Sequence, residues 1–131
     1  TGLKAITESL ETNNSRPVIV HCVQGKDRTG LLVMLCQSIV GVSDDDITSC
    51  YHRSDSAMKK RNAAKLPVQT WGKLDRNVFA AAPKDVMTDT LAMLRERYGA
   101  VSPGYLDSIG FDATWRQRLV QVMTLQPRSN L

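Results

Sequence analysis

Apolar residues recur at three- and four-residue intervals over most of this chain. Leu3, Ile6 and Leu10 put one apolar stripe on a helix over residues 1–12. Asn13, Asn14 and Ser15 then predict a turn. The pattern changes at Pro17-Val18-Ile19-Val20-His21-Cys22, a β-branched run after a proline that reads as a buried parallel strand. Gly25 and Gly30 interrupt the next stretch. Residues 31–40 are apolar almost all round, which predicts a central, buried helix stopped by Gly41. Ser43 and Asp46 have capping-box spacing, and Ile47, Cys50, Tyr51, Ser54 and Met58 continue as an amphipathic helix. Asp44, Asp45 and Asp46 suit the positive end of its dipole, and capping explains them better than a metal site does.

Lys59, Lys60, Arg61 and Lys65 form a basic cluster before Pro67. Residues 67–82 are the least regular and are expected to form a lid or long loop. Pro83 suits the first position of a helix whose buried face is Val86, Met87, Thr90, Leu91, Leu94 and Tyr98, with Gly99 as its stop. Ser102-Pro103 starts a short helix through Ile109. Asp112 caps a last one through Thr124, carrying Trp115, Leu119, Val122 and Met123. The expectation is one core strand with a mostly helical remainder, in an α/β fold. A parallel strand cannot satisfy its backbone N–H and C=O groups alone. Its neighbours are expected on a segment missing from the N-terminus or on another chain. The first residue, Thr1 rather than Met, fits a processed chain or fragment.

The length of 131 residues suits one domain or part of one, and 42% hydrophobic with 23% charged residues is ordinary for a globular protein. No stretch approaches the roughly 18–20 apolar residues of a membrane span. Seventeen Lys and Arg against 13 Asp and Glu give +4, compatible with an anionic substrate and too little to argue for nucleic acid. Cys22, Cys36 and Cys50 cannot all pair with one another and form no CxxC metal motif, so a reducing, cytoplasmic setting is expected. Cys36 and Cys50 fall on apolar helix faces and read as buried structural thiols. No metal or cofactor is called for.

The chemistry concentrates in His21-Cys22-Val23-Gln24-Gly25-Lys26-Asp27-Arg28-Thr29-Gly30. The backbone amides of Val23, Gln24, Gly25, Lys26, Asp27 and Arg28 can curl around one anion, and the following helix adds its N-terminal donors. Gly25 admits backbone conformations that a Cβ disfavours. The Arg28 guanidinium can bind two phosphoryl oxygens in a planar fork. Cys22 at the floor of this positive cup is expected to ionise well below the ordinary thiol value of about 8.5 and so to be a nucleophile. Thr29 can donate its hydroxyl to the sulfur, and His21 is expected to tune the thiol through a backbone contact behind the loop. The pieces assemble into phosphomonoester hydrolysis through a cysteinyl-phosphate intermediate. No Gly-x-x-x-x-Gly-Lys-Ser/Thr loop is present.

The sequence His-Cys-x-x-Gly-Lys-Asp-Arg-Thr-Gly resembles the loop of the atypical tyrosine phosphatases of bacteria and fungi. These are similar to dual-specificity phosphatases and include members with phosphoinositide activity. Tyr51-His52-Arg53-Ser54-Asp55 resembles the family's Tyr-x-x-Ser segment, and residues 83–110 resemble its terminal pattern. The resemblance implies a cysteine-phosphatase fold with a central parallel sheet flanked by helices. Residues 1–131 would then be the C-terminal portion of one catalytic domain. It also implies that the loop aspartate, Asp27, is the general acid; the alternative is an acid on an absent segment. Lys26, expected beside the bound phosphate, would favour multiply charged headgroups such as phosphoinositides. The substrate is therefore expected to be a phosphorylated protein or a phosphoinositide, and phosphate or sulfate would fit the cup. A catalytically silent phosphate-binding module is the reading from another class.

Overall fold

The computed structural model describes residues 2–12, 17–63 and 81–124, with residues 61–63 described by their backbone alone. The predicted turn at Asn13, Asn14 and Ser15, Lys65 of the basic cluster, residues 67–80 of the loop expected over 67–82 and the tail from Pro127 lie outside them. The described residues open with four helices: α1 (Gly2–Thr12), α2 (Asp27–Ile39), α3 (Asp44–Ala63) and α4 (Lys84–Tyr98). A π-type turn over Val101–Tyr105 leads into a single turn, α5 (Leu106–Ser108), and then α6 (Ala113–Thr124).

Local sequence accounts for most of these boundaries. Ser43 Oγ accepts the Asp46 amide at 3.2 Å and bonds the Asp46 carboxylate at 2.7 Å, so the capping box forms at the start of α3. Asp112 takes the Trp115 amide at 3.1 Å and starts α6. Pro83 sits one place earlier than expected, as the residue before α4, with extended ψ of 151°. Gly99 ends α4 at φ 77°, donating its amide to Arg95 O at 2.7 Å.

The core gathers Leu3 from α1, Met34 and Leu35 from α2, Ile47 and Tyr51 from α3, and Met87, Leu91 and Leu94 from α4. Val101, Leu106, Phe111 and Leu119 close it from the C-terminal side. Two bidentate ion pairs clamp its margins. Arg118 grips Glu11 at 2.8 and 2.6 Å, joining α6 to α1, and Arg95 of α4 grips Asp44 at the start of α3.

Three expectations are corrected. The central parallel sheet and its core strand over residues 17–22 are absent: the described residues contain no strand, and 17–22 carry no regular structure. A strand exists only where a second strand takes its backbone groups, and none is present among these residues to do so. Ile19, read as core, is 83% exposed. Second, α2 is not buried all round, because Leu31 and Val33 reach the surface. Third, Val86 lies on the outer face of α4, whose buried line is Met87, Leu91 and Leu94.

Candidate active site

The irregular stretch of residues 17–26 delivers Cys22 to the N-terminal end of α2, and Asp27 opens the helix. Gly25 turns the loop with φ 77°, a conformation that side chains rarely adopt. That turn brings the Gly25 amide to 3.2 Å from Cys22 Sγ, as donor to sulfur. In the first turn of α2 the amides of Asp27 and Arg28 meet no backbone acceptor among the described residues. The helix dipole adds to the positive field there.

The electrostatic result is a thiol brought down to about 6. The Thr29 hydroxyl is the largest cause, followed by the Thr29 amide, with smaller contributions from the amides of Gly25 and Gln24 against a partial desolvation cost. Thr29 Oγ1 is buried and makes no hydrogen bond among the described residues, so its proton is free to turn to the sulfur. By contrast, burial pushes the Cys36 thiol up. None of Cys22, Cys36 and Cys50 is in a disulfide.

The remaining loop residues divide between surface and interior. Val23 is 86% exposed, and His21 and Arg28 are exposed without an ion pair among the described residues. Lys26, expected at the mouth, is only 5% exposed, and its Nζ lies 2.7 Å from Asp27 Oδ1. Asp27 itself is half exposed. The same Oδ1 accepts the Tyr51 hydroxyl at 3.4 Å, across from α3. Gly30 permits that approach, since a Cβ there would stand 2.8 Å from Tyr51 Cδ2. A cleft of about 130 Å³ behind the loop is lined by Gly25, Lys26, Thr29, Tyr51 and Met87 among others. It is well below the roughly 300 Å³ and upward of ordinary ligand clefts and reads as a gap in packing.

Sequence reading brought Cys22, Gly25, Asp27 and Thr29 into one loop, and the structure places them at one helix end. It missed the second support of that loop. The amphipathic stripe of α3 accounts for the burial of Tyr51, yet its hydroxyl also reaches Asp27. One residue on, His52 Nδ1 lies 2.9 Å from Ala82 O, while Asp55 Oδ1 takes the Ala82 amide at 2.8 Å. The signal available in sequence was the α3 stripe of Ile47 and Tyr51, which faces the glycine at the end of the loop.

The match to the tyrosine phosphatase family model runs over residues 1–124. The chain belongs to the tyrosine phosphatase family. It is 35% identical over 91 residues to the triple specificity protein phosphatase PtpB of Mycobacterium tuberculosis, covering 70% of this chain and 31% of that protein. It is 27% identical over 129 residues to a tyrosine-protein phosphatase of Nostoc commune, covering 88% of this chain and 42% of that protein. The chain thus spans less than half the length of either of these relatives. No described helix is long and apolar enough to cross a membrane.

Proposed function

We propose that this chain carries the catalytic loop of a cysteine-dependent phosphatase that hydrolyses phosphotyrosine. The observation that carries the reading is the Cys22 thiol, held at about 6 by Thr29 and the loop amides and therefore largely thiolate at neutral pH. In the first step the Cys22 sulfur pair forms a bond to phosphorus as the ester P–O bond breaks. Asp27 supplies the proton that the departing phenolic oxygen needs. In the second step a water oxygen bonds to phosphorus, the S–P bond breaks, the thiolate is regenerated and the water proton returns to Asp27. The amides from Val23 to Arg28 and the Arg28 guanidinium stabilise the equatorial oxygens. Thr29 supports the sulfur both as nucleophile and as leaving group.

Phosphotyrosine is favoured over inositol phosphates by Lys26. Its side chain is buried and its ammonium lies 2.7 Å from Asp27 Oδ1, turned inward rather than presented at the mouth where a second phosphate would meet it. Activity toward phosphoserine and phosphothreonine is part of the proposal, supported by the triple specificity in the name of the mycobacterial relative. The relatives' greater lengths support a single catalytic domain of which this chain forms a part. Three unpaired cysteines support a reducing setting such as the cytoplasm.

The test is hydrolysis of a phosphotyrosine peptide and a phosphoinositide side by side by the complete protein. The peptide is expected to be the better substrate, and Cys22→Ser is expected to abolish turnover on both while inorganic phosphate still binds. A preference for the phosphoinositide contradicts the substrate assignment. No turnover by the wild type, with phosphate binding retained, makes the chain a phosphate-binding module instead.

A further inference from the structure

Asp27 is anchored by one oxygen only. Lys26 Nζ and the Tyr51 hydroxyl both meet Oδ1, at 2.7 and 3.4 Å, whereas Oδ2 has no hydrogen-bond partner among the described residues. The Tyr51 contact is long for an O–H···O bond, as catalytic contacts often are before substrate tightens them. Tyr51 has little freedom to leave. Its ring is buried in the core, packed against the Gly30 backbone and beside Met87. Burial first, and the Asp27 charge second, push its phenol up to about 12, so it remains a protonated donor wherever the loop thiolate works. Asp27 is half exposed and would otherwise sample several rotamers.

We propose that Tyr51 is a positioning residue for the loop acid: its hydroxyl, with Lys26, holds Asp27 by Oδ1 and leaves Oδ2 as the oxygen that delivers the proton. This rests on the reading of Asp27 as the general acid. An acid already oriented before substrate arrives avoids an ordering cost in the transition state. The demand for it is greatest when the leaving oxygen is strongly basic, as in tyrosine with its pKa of about 10.

The experiment compares a phosphotyrosine peptide with p-nitrophenyl phosphate, whose leaving group needs little protonation. Wild type, Tyr51→Phe, Asp27→Asn and the double variant are measured in the complete protein. Phenylalanine keeps the ring against Gly30 and removes only the donor. The expected result for Tyr51→Phe is a fall of about tenfold in kcat on the peptide, a fraction of the general-acid contribution. Turnover of p-nitrophenyl phosphate is expected to change much less, with KM and inhibition by inorganic phosphate unchanged. In the Asp27→Asn background Tyr51→Phe should cost nothing further. Equal losses on both substrates, or no loss on either, while Asp27→Asn discriminates between them, overturns the positioning role and leaves the acid assignment standing. If Asp27→Asn itself fails to discriminate, the acid assignment falls and the positioning role falls with it.

Discussion

Two turns in this molecule begin alike and end in opposite uses. Gly25 and Gly99 both have φ 77°. After Gly99, the donors are consumed internally: Tyr105 bonds Ala100 O, Ile109 bonds Tyr105 O, Gly110 bonds Asp107 O and Phe111 bonds Leu106 O. That turn also buries Val101, Leu106 and Phe111. Around Gly25, the Gly25 amide is aimed at a sulfur atom, and the first amides of α2 meet no backbone acceptor among the described residues. Val23 stands outside. The first turn satisfies its own backbone and thereby stabilises the core. The second leaves donors without a backbone acceptor among the described residues, which the proposed function assigns to the thiolate and then to phosphoryl oxygens.

The comparison predicts that substitutions at the two turns separate activity from stability. The largest effect is expected from Arg28→Ala. It should lower kcat about 10³-fold, in the range of lost oxyanion donors, because the fork for the equatorial oxygens is gone. Its melting temperature should stay within a degree or so of wild type, since Arg28 is exposed and in no ion pair among the described residues, and such a side chain contributes little to the fold. Gly104→Ala should do the converse. A Cβ there would stand 2.1 Å from the backbone oxygen of Tyr98. Overpacking of this kind costs about 1–3 kcal/mol, read by denaturant melts, while the folded fraction keeps its turnover. The smallest effect is expected at Glu11, whose carboxyl is held below the usual range chiefly by its hydrogen bonds from Arg118. A lowered carboxyl stabilises the fold above its unfolded value near 4.3 and loses that contribution as pH falls through the folded value. Glu11→Gln should therefore lower the melting temperature slightly at pH 7, and the difference from wild type should shrink below pH 4. Activity loss in Gly104→Ala at unchanged stability, or unfolding in Arg28→Ala, would erase the distinction between the turns.

The sequence was most legible where a signal is local. The Ser43–Asp46 box, the Asp112 cap and the Gly99 stop depend on residues within one helical turn of each other, and all three form. So does the stripe of Leu3, Ile6 and Leu10, although only Leu3 is fully buried. The β-branched run at residues 18–20 misled because strand propensity describes fit to a sheet, and no sheet is present among the described residues to receive it. The apolar length of α2 gave no indication of which face would be left open, so Leu31 and Val33 were wrongly placed inside. At the site, chain spacing brought Cys22, Gly25 and Thr29 together at the start of α2. It could not give the direction of Lys26, whose neighbour in sequence is also its ion-pair partner, or the arrival of Tyr51 from another helix. Both depend on how α2 and α3 pack.

The central claim is that the loop holds Cys22 as a thiolate, and the rate of its alkylation by iodoacetamide as a function of pH tests it most directly. The modified Cys22 peptide would be quantified by mass spectrometry, so that Cys36 and Cys50 do not contribute. Reactivity should rise with pH through a midpoint near 6 and then level off. Thr29→Val, which removes the largest cause of the lowered value, should move the midpoint up toward the ordinary thiol value of about 8.5. A wild-type midpoint already near the ordinary thiol value, unmoved by Thr29→Val, would contradict the account.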